Sequence, residues 1–195
     1  MTSTFMRPAI LLALALSLSA CGGKASFPVN GTVSGLAYSG LVLSTNGMDL
    51  AVAANATSFS FPNSLSYGDV YAVTAKSQPL HENCTVGGGS DTAGRLAAIN
   101  VSVVCNLNTF QIGGSISGLT SGGLTLTNGS DGGTVAPAAG VTSFTFANPV
   151  KFGVSYGVTV LAQPANDTCS VSPNGTGIMG DAAVTDIVVT CVPKP

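Results

Sequence analysis

Five cysteines and one histidine are the residues of this 195-residue chain best suited to chemistry. The thiols stand at Cys21, Cys84, Cys105, Cys169 and Cys191. A thiolate can hold a metal, attack a carbonyl carbon, accept a lipid or close a disulfide. Metal binding is disfavoured here: no Cys-x-x-Cys pair occurs, and His81 is the one imidazole. A Ser-His-Asp arrangement would also have to use His81, and it is read instead as a solvent-exposed loop residue. Asn46 with Asp49, and Asn128 with Ser130 and Asp131, make oxygen-rich turns. Each offers one carboxylate, whereas a Ca²⁺ loop needs about six or more oxygen ligands, so they are read as Asx turns. No Lys-Ser/Thr pair follows Gly87-Gly88-Gly89, so that run is read as a flexible loop and not as a phosphate cradle. These patterns lead to the expectation of no catalytic residue, no metal and no cofactor.

Cys21 has a different setting. Met1 to Arg7 carry one positive charge, Ala9 to Leu18 form an apolar core of about ten residues, and Leu18-Ser19-Ala20-Cys21 follows. The core is too short to cross a bilayer, which takes about 20 residues. The last four residues resemble the lipobox of bacterial lipoproteins. That resemblance implies cleavage before Cys21, a diacylglyceryl group on its thiol and acylation of the new amine. Residues 1–20 would then be the signal peptide, and residues 21–26 a lipidated, flexible tether. Two or three acyl chains hold a protein stably, so the expected partner is a membrane reached through the lipid on Cys21. Gly22 follows the cysteine, where Asp would favour retention in the inner membrane. By that family's sorting rule the location is the bacterial cell envelope, at the outer membrane.

An exported chain meets an oxidising compartment, where the other four cysteines read as disulfides. Four cysteines allow three pairings, and an internal duplication chooses among them. Val33-Ser34-Gly35-Leu36 matches Ile116-Ser117-Gly118-Leu119, and Ser58-Phe59-Ser60-Phe61 matches Ser143-Phe144-Thr145-Phe146. Tyr67-Gly68 matches Phe152-Gly153, and Gln78-Pro79 matches Gln163-Pro164. Cys84 and Cys105 then match Cys169 and Cys191, at an offset of about 83 to 86 residues throughout. Because each copy should fold alike, the expected bridges are Cys84–Cys105 and Cys169–Cys191. Each closes a ring of about 20 residues and is worth about 3 kcal/mol.

The elements that must position these cysteines are short strands. Only 7% of residues are charged, aromatics are few, and 25 glycines punctuate runs of Val, Thr, Ser and Phe. Alternation puts Tyr71, Val73 and Ala75 on one face, as it does Val101, Val103 and Cys105. The same holds for Tyr156, Val158 and Val160, and for Ile187, Val189 and Cys191. Asn46-Gly47 and Asn128-Gly129 fit hairpin turns. The formal net charge is −2, and removing Met1 to Ala20 takes Arg7 away and makes it one unit more negative. No basic stripe is present, which argues against nucleic acid as a partner.

Each copy, with about seven strands, resembles the prealbumin-like, Ig-like β-sandwiches of bacterial surface proteins, the Cna B-type modules being the nearest kind. The resemblance implies an all-β chain with two tandem sandwich domains, residues 27–105 and 110–195, joined by a short linker at 106–109 into a semi-rigid rod. Many such modules carry a Lys–Asn isopeptide bond with the Lys on the first strand. Val29 to Leu36 and Ile112 to Leu119 contain no Lys, so that crosslink is not expected. The function implied is a non-enzymatic envelope or surface lipoprotein, a structural or protein-interaction module. The alternative is a glycan or small-ligand binder using the sandwich loops, although Tyr38 alone, with no Trp in the chain, makes a weak sugar platform.

Overall fold

The computed structural model describes residues 25–129 and 132–195. The expected signal peptide, Cys21 and most of the expected tether, and Ser130 and Asp131, lie outside the described residues. The described chain is built from strands, with one 3-10 turn at Pro173–Gly175. Two tandem β-sandwiches result. In the first, a sheet ordered Ser58–Ser60, Val29–Ser34, Ile99–Leu107 and Glu82–Gly87 faces a sheet ordered Met48–Ala51, Val42–Thr45 and Thr74–Ser77. In the second, Ser143–Thr145, Ile112–Ser117, Val184–Pro193 and Asp167–Val171 face Thr134–Val135, Thr125–Asn128, Ser155–Ala162 and Thr176–Ile178. The second repeat therefore has eight strands in its two main sheets, one more than the first. Its strand Ser155–Ala162 runs unbroken, whereas the first repeat divides the same stretch into Val70–Ala72 and Thr74–Ser77.

Alternation accounts for the core. The closing strand Ile99–Leu107 buries Ile99, Val101, Val103 and Cys105 and exposes the residues between. Its pairing with the opening strand Val29–Ser34 is parallel, as is that of Val184–Pro193 with Ile112–Ser117; the other pairings are antiparallel. Phe59 and Phe61 meet edge to face at 5.9 Å and 87°, and Phe144 and Phe146 repeat that geometry at 5.9 Å and 87°. Edge-to-face packing of this kind adds about 0.5–1.5 kcal/mol beyond the area buried.

The repeated glycines have local causes. At Gly35 φ is +76°, and a β-carbon there would meet the Cys105 carbonyl oxygen at 2.2 Å; Gly118 repeats this at +75° against Cys191 at 2.1 Å. Only glycine lets the chain leave the sheet so close to the closing strand. Asn46 and Gly47 have φ of 48° and 76°, the two positive angles of a tight type I′ hairpin.

Both expected disulfides are present, Cys84–Cys105 and Cys169–Cys191. Each joins residues directly opposite one another on antiparallel strands. The connection between repeats is shorter than a linker at 106–109. One strand continues through Leu107 and the next begins at Thr109, so Asn108 alone lies between them. Gly87–Gly89 is also not an open loop. Gly87 ends a strand, and the Gly89 carbonyl accepts the Val73 N–H at 2.7 Å, bridging the break between the two short strands.

Candidate functional site

The functional-looking side chains gather at one end of each sandwich, in the turn that follows the Ser-Gly-Leu motif. Glu82 is 2% exposed and Asp167 0%, although neither stands out in the sequence. The Glu82 carboxylate accepts the N–H groups of Ala37 at 2.9 Å and Tyr38 at 3.2 Å. Asp167 accepts four bonds: the Thr120 N–H at 3.0 Å and hydroxyl at 2.8 Å, and the Ser121 N–H at 2.8 Å and hydroxyl at 2.7 Å. The Ser121 and Thr120 hydroxyls, against the opposing effect of burial, hold the Asp167 carboxyl at about 2. These carboxylates occupy equivalent positions, two residues before a bridged cysteine, and fasten the turn to the neighbouring strand.

Gln78 and Gln163 perform a second repeated task. The Gln78 amide donates to the Cys84 carbonyl at 3.1 Å and accepts the Cys84 N–H at 2.7 Å. Gln163 does the same for Cys169, at 2.9 and 2.7 Å. A side-chain amide thus stands in for one residue of a neighbouring strand and satisfies an otherwise open sheet edge.

At the junction between repeats the symmetry ends. His81 is not an isolated loop residue. Its ring stacks on Phe152 of the second repeat at 3.8 Å and 4°, and its Nδ1 lies 2.7 Å from an Asp181 carboxylate oxygen. Tyr38 meets both rings edge-on, at 4.9 Å from His81 and 5.9 Å from Phe152. The main chain reinforces this clasp. The Asn108 N–H donates to the His81 carbonyl at 2.8 Å, and the Asn108 carbonyl accepts the Phe152 N–H at 2.8 Å. The single connecting residue is therefore bonded to both domains. His81 itself holds φ +62°, a left-handed backbone that aims its ring out of its own sandwich.

His81 with Asp181 makes two members of a catalytic triad, but no serine hydroxyl bonds the second ring nitrogen among the described residues. One Gly-x-Ser-x-Gly spacing does occur, Gly153-Val154-Ser155-Tyr156-Gly157. Ser155 begins the strand Ser155–Ala162, with no helix after it, so the strained strand-to-helix elbow of that motif is not formed. Asn128 is buried and accepts the Gly157 N–H at 2.9 Å, so its oxygen serves the backbone. Asn46 donates to the Val70 carbonyl at 2.9 Å, and Asp49 pairs with Lys76. A cleft of about 630 Å³ lies in the second repeat and is lined by Asn128, Lys151 and Tyr156 among others.

Comparison with known proteins gives little to add to this geometry. No protein-family model and no curated protein sequence matches the chain. Among solved structures, a major pilin protein of Streptococcus pyogenes is 13% identical, with 88% of this chain and 98% of that chain covered at a TM-score of 0.30. A shaft pilin of Lactobacillus rhamnosus GG is 11% identical, with coverages of 87% and 98% and a TM-score of 0.30. At this level of superposition the likeness carries no assignment.

Proposed function

We propose that this chain is a lipid-anchored structural or protein-interaction module of the bacterial cell envelope, held at the outer membrane through acylated Cys21. The junction supports this reading most. An aromatic stack, a His–Asp contact and a doubly bonded Asn108 join two disulfide-stapled sandwiches, the arrangement a spacer needs in order to present its far end at a fixed distance. The Leu18-Ser19-Ala20-Cys21 sequence supplies the anchor. Metabolic labelling with a radioactive fatty acid tests it: the wild type is expected to take up label and pellet with membranes, and Cys21→Ser to do neither. An unlabelled wild type, or a membrane-bound Cys21→Ser, would overturn the proposal.

A second reading, a glycan or small-ligand binder, is favoured by the cleft beside Tyr156. A thermal-shift screen against neutral and acidic oligosaccharides separates the two readings. A saturable stabilisation lost in Tyr156→Ala would support the binder.

A further inference from the structure

The covered end of the second repeat has an uncovered copy in the first. Gly153 donates its N–H to the Met179 carbonyl, and Gly68 donates to Ala93, so Met179-Gly180-Asp181 corresponds to Ala93-Gly94-Arg95. The socket of the second repeat is thus Phe152 with Asp181, filled by His81 and Tyr38. Its counterpart in the first repeat is Tyr67 with Arg95, and no described residue fills it as His81 and Tyr38 fill the other. Tyr67 is 73% exposed, Val70 72% and Leu96 63%. These residues are neighbours. The Tyr67 ring lies over Gly94, where a β-carbon would meet it at 2.3 Å, and Val70 pairs with Thr92.

We infer that this bare socket rests on the lipid surface to which the chain is anchored, so that the first sandwich stands with Tyr67, Val70 and Leu96 in the headgroup region of the bilayer. The inference rests on the proposed acylation of Cys21. The distance from the anchor carries it. The Phe27 ring lies 6.4 Å from the Tyr67 ring, and Ser26 pairs with Ser66. From Ala25 back to Cys21 an extended chain reaches at most about 15 Å. The acyl chains therefore keep this end of the sandwich close to the membrane, where an exposed tyrosine and aliphatic side chains gain by entering the interface. The change from Asp181 to Arg95 accords with this: a carboxylate receives the imidazole in the covered socket, and a guanidinium is available to lipid phosphate in the bare one. Arg95 also contacts Asp91 at 3.3 Å, and Asp69 accepts the Ser66 N–H at 2.8 Å, so the patch is not cationic overall. It suits a zwitterionic bilayer. A second copy of the chain is a poorer occupant, because its free end presents Ser121 and Asn166 where the first repeat presents Tyr38 and His81.

The test uses the full acylated protein in phosphatidylethanolamine–phosphatidylcholine vesicles, with an environment-sensitive fluorophore on Leu96→Cys or, at the far end, on Val192→Cys. The probe at position 96 is expected to shift to the blue and to be quenched by brominated lipid. The probe at 192 is expected to do neither. An unquenched probe at 96 on vesicle-bound protein would overturn the inference while leaving the anchor intact. A shift at 96 that grows with protein concentration and needs no vesicles would also overturn it, in favour of self-association. Failure of the acylation itself shows separately, as protein that does not float with the vesicles.

Discussion

The two repeats share a plan and differ at their ends. Both have the Phe pair, the cross-strand disulfide, the glutamine on the sheet edge and a buried carboxylate under the Ser-Gly-Leu turn. What differs is what each end meets. In the first repeat the turn after the opening strand carries Tyr38, and His81 faces it; in the second the same places are Ser121 and Asn166. Duplication preserved what folds a module and released what joins one module to another. The duplicated features therefore report on stability, and the unduplicated ones on assembly.

The two cores should respond alike to truncation. Phe61→Ala and Phe146→Ala should each cost about 3–5 kcal/mol, and by similar amounts, because both rings are buried in the core. Thermal unfolding of the two variants checks it, and a severalfold difference between them would deny that the cores are equivalent. Replacing Cys84 and Cys105 together by Ala should cost about 3 kcal/mol, and so should replacing Cys169 and Cys191, since the rings closed are nearly equal in length. Urea denaturation of each pair under oxidising conditions measures this.

Acid should weaken the second repeat. Folding lowers the Asp167 pKa from 3.8 to about 2, so the charged carboxylate favours the folded state. That contribution is complete above the ordinary Asp value and is lost as pH falls through about 2. Melting followed from pH 5 to pH 2 should show the second repeat losing stability across this window, and Asp167→Asn should remove that dependence. The smallest effect belongs to the junction. His81→Ala should lower the coupling between the repeats by about 1 kcal/mol, the worth of one aromatic contact. It should be read as a wider separation of the two unfolding transitions in urea.

Much of this was legible in the sequence. Alternation of period two placed Val101, Val103 and Cys105 inside, and duplication alone chose the right disulfides among three pairings. Asn46-Gly47 announced its turn, because few other dipeptides accept two positive φ angles. The parallel pairing of opening and closing strands was hidden, since half-buried strands read alike in either direction. Glu82 and Asp167 gave no signal in the sequence: burial of a carboxylate depends on N–H groups some 45 residues away. The repeated glutamines did carry a signal, since Gln78-Pro79 and Gln163-Pro164 match where most exposed residues do not. His81 does lie in a turn, but it was misread as solvent-exposed because its partners, Phe152 and Asp181, lie in another domain and have no counterpart in its own.

Hydroxyl-radical footprinting of the intact protein in solution tests most directly whether one end of the module is a docking surface, covered in the second repeat and bare in the first. Tyr67 should be oxidised rapidly and Phe152 protected, with His81→Ala raising the Phe152 rate and leaving Tyr67 unchanged. Equal protection of the two rings, or a Phe152 rate indifferent to His81→Ala, would contradict the account.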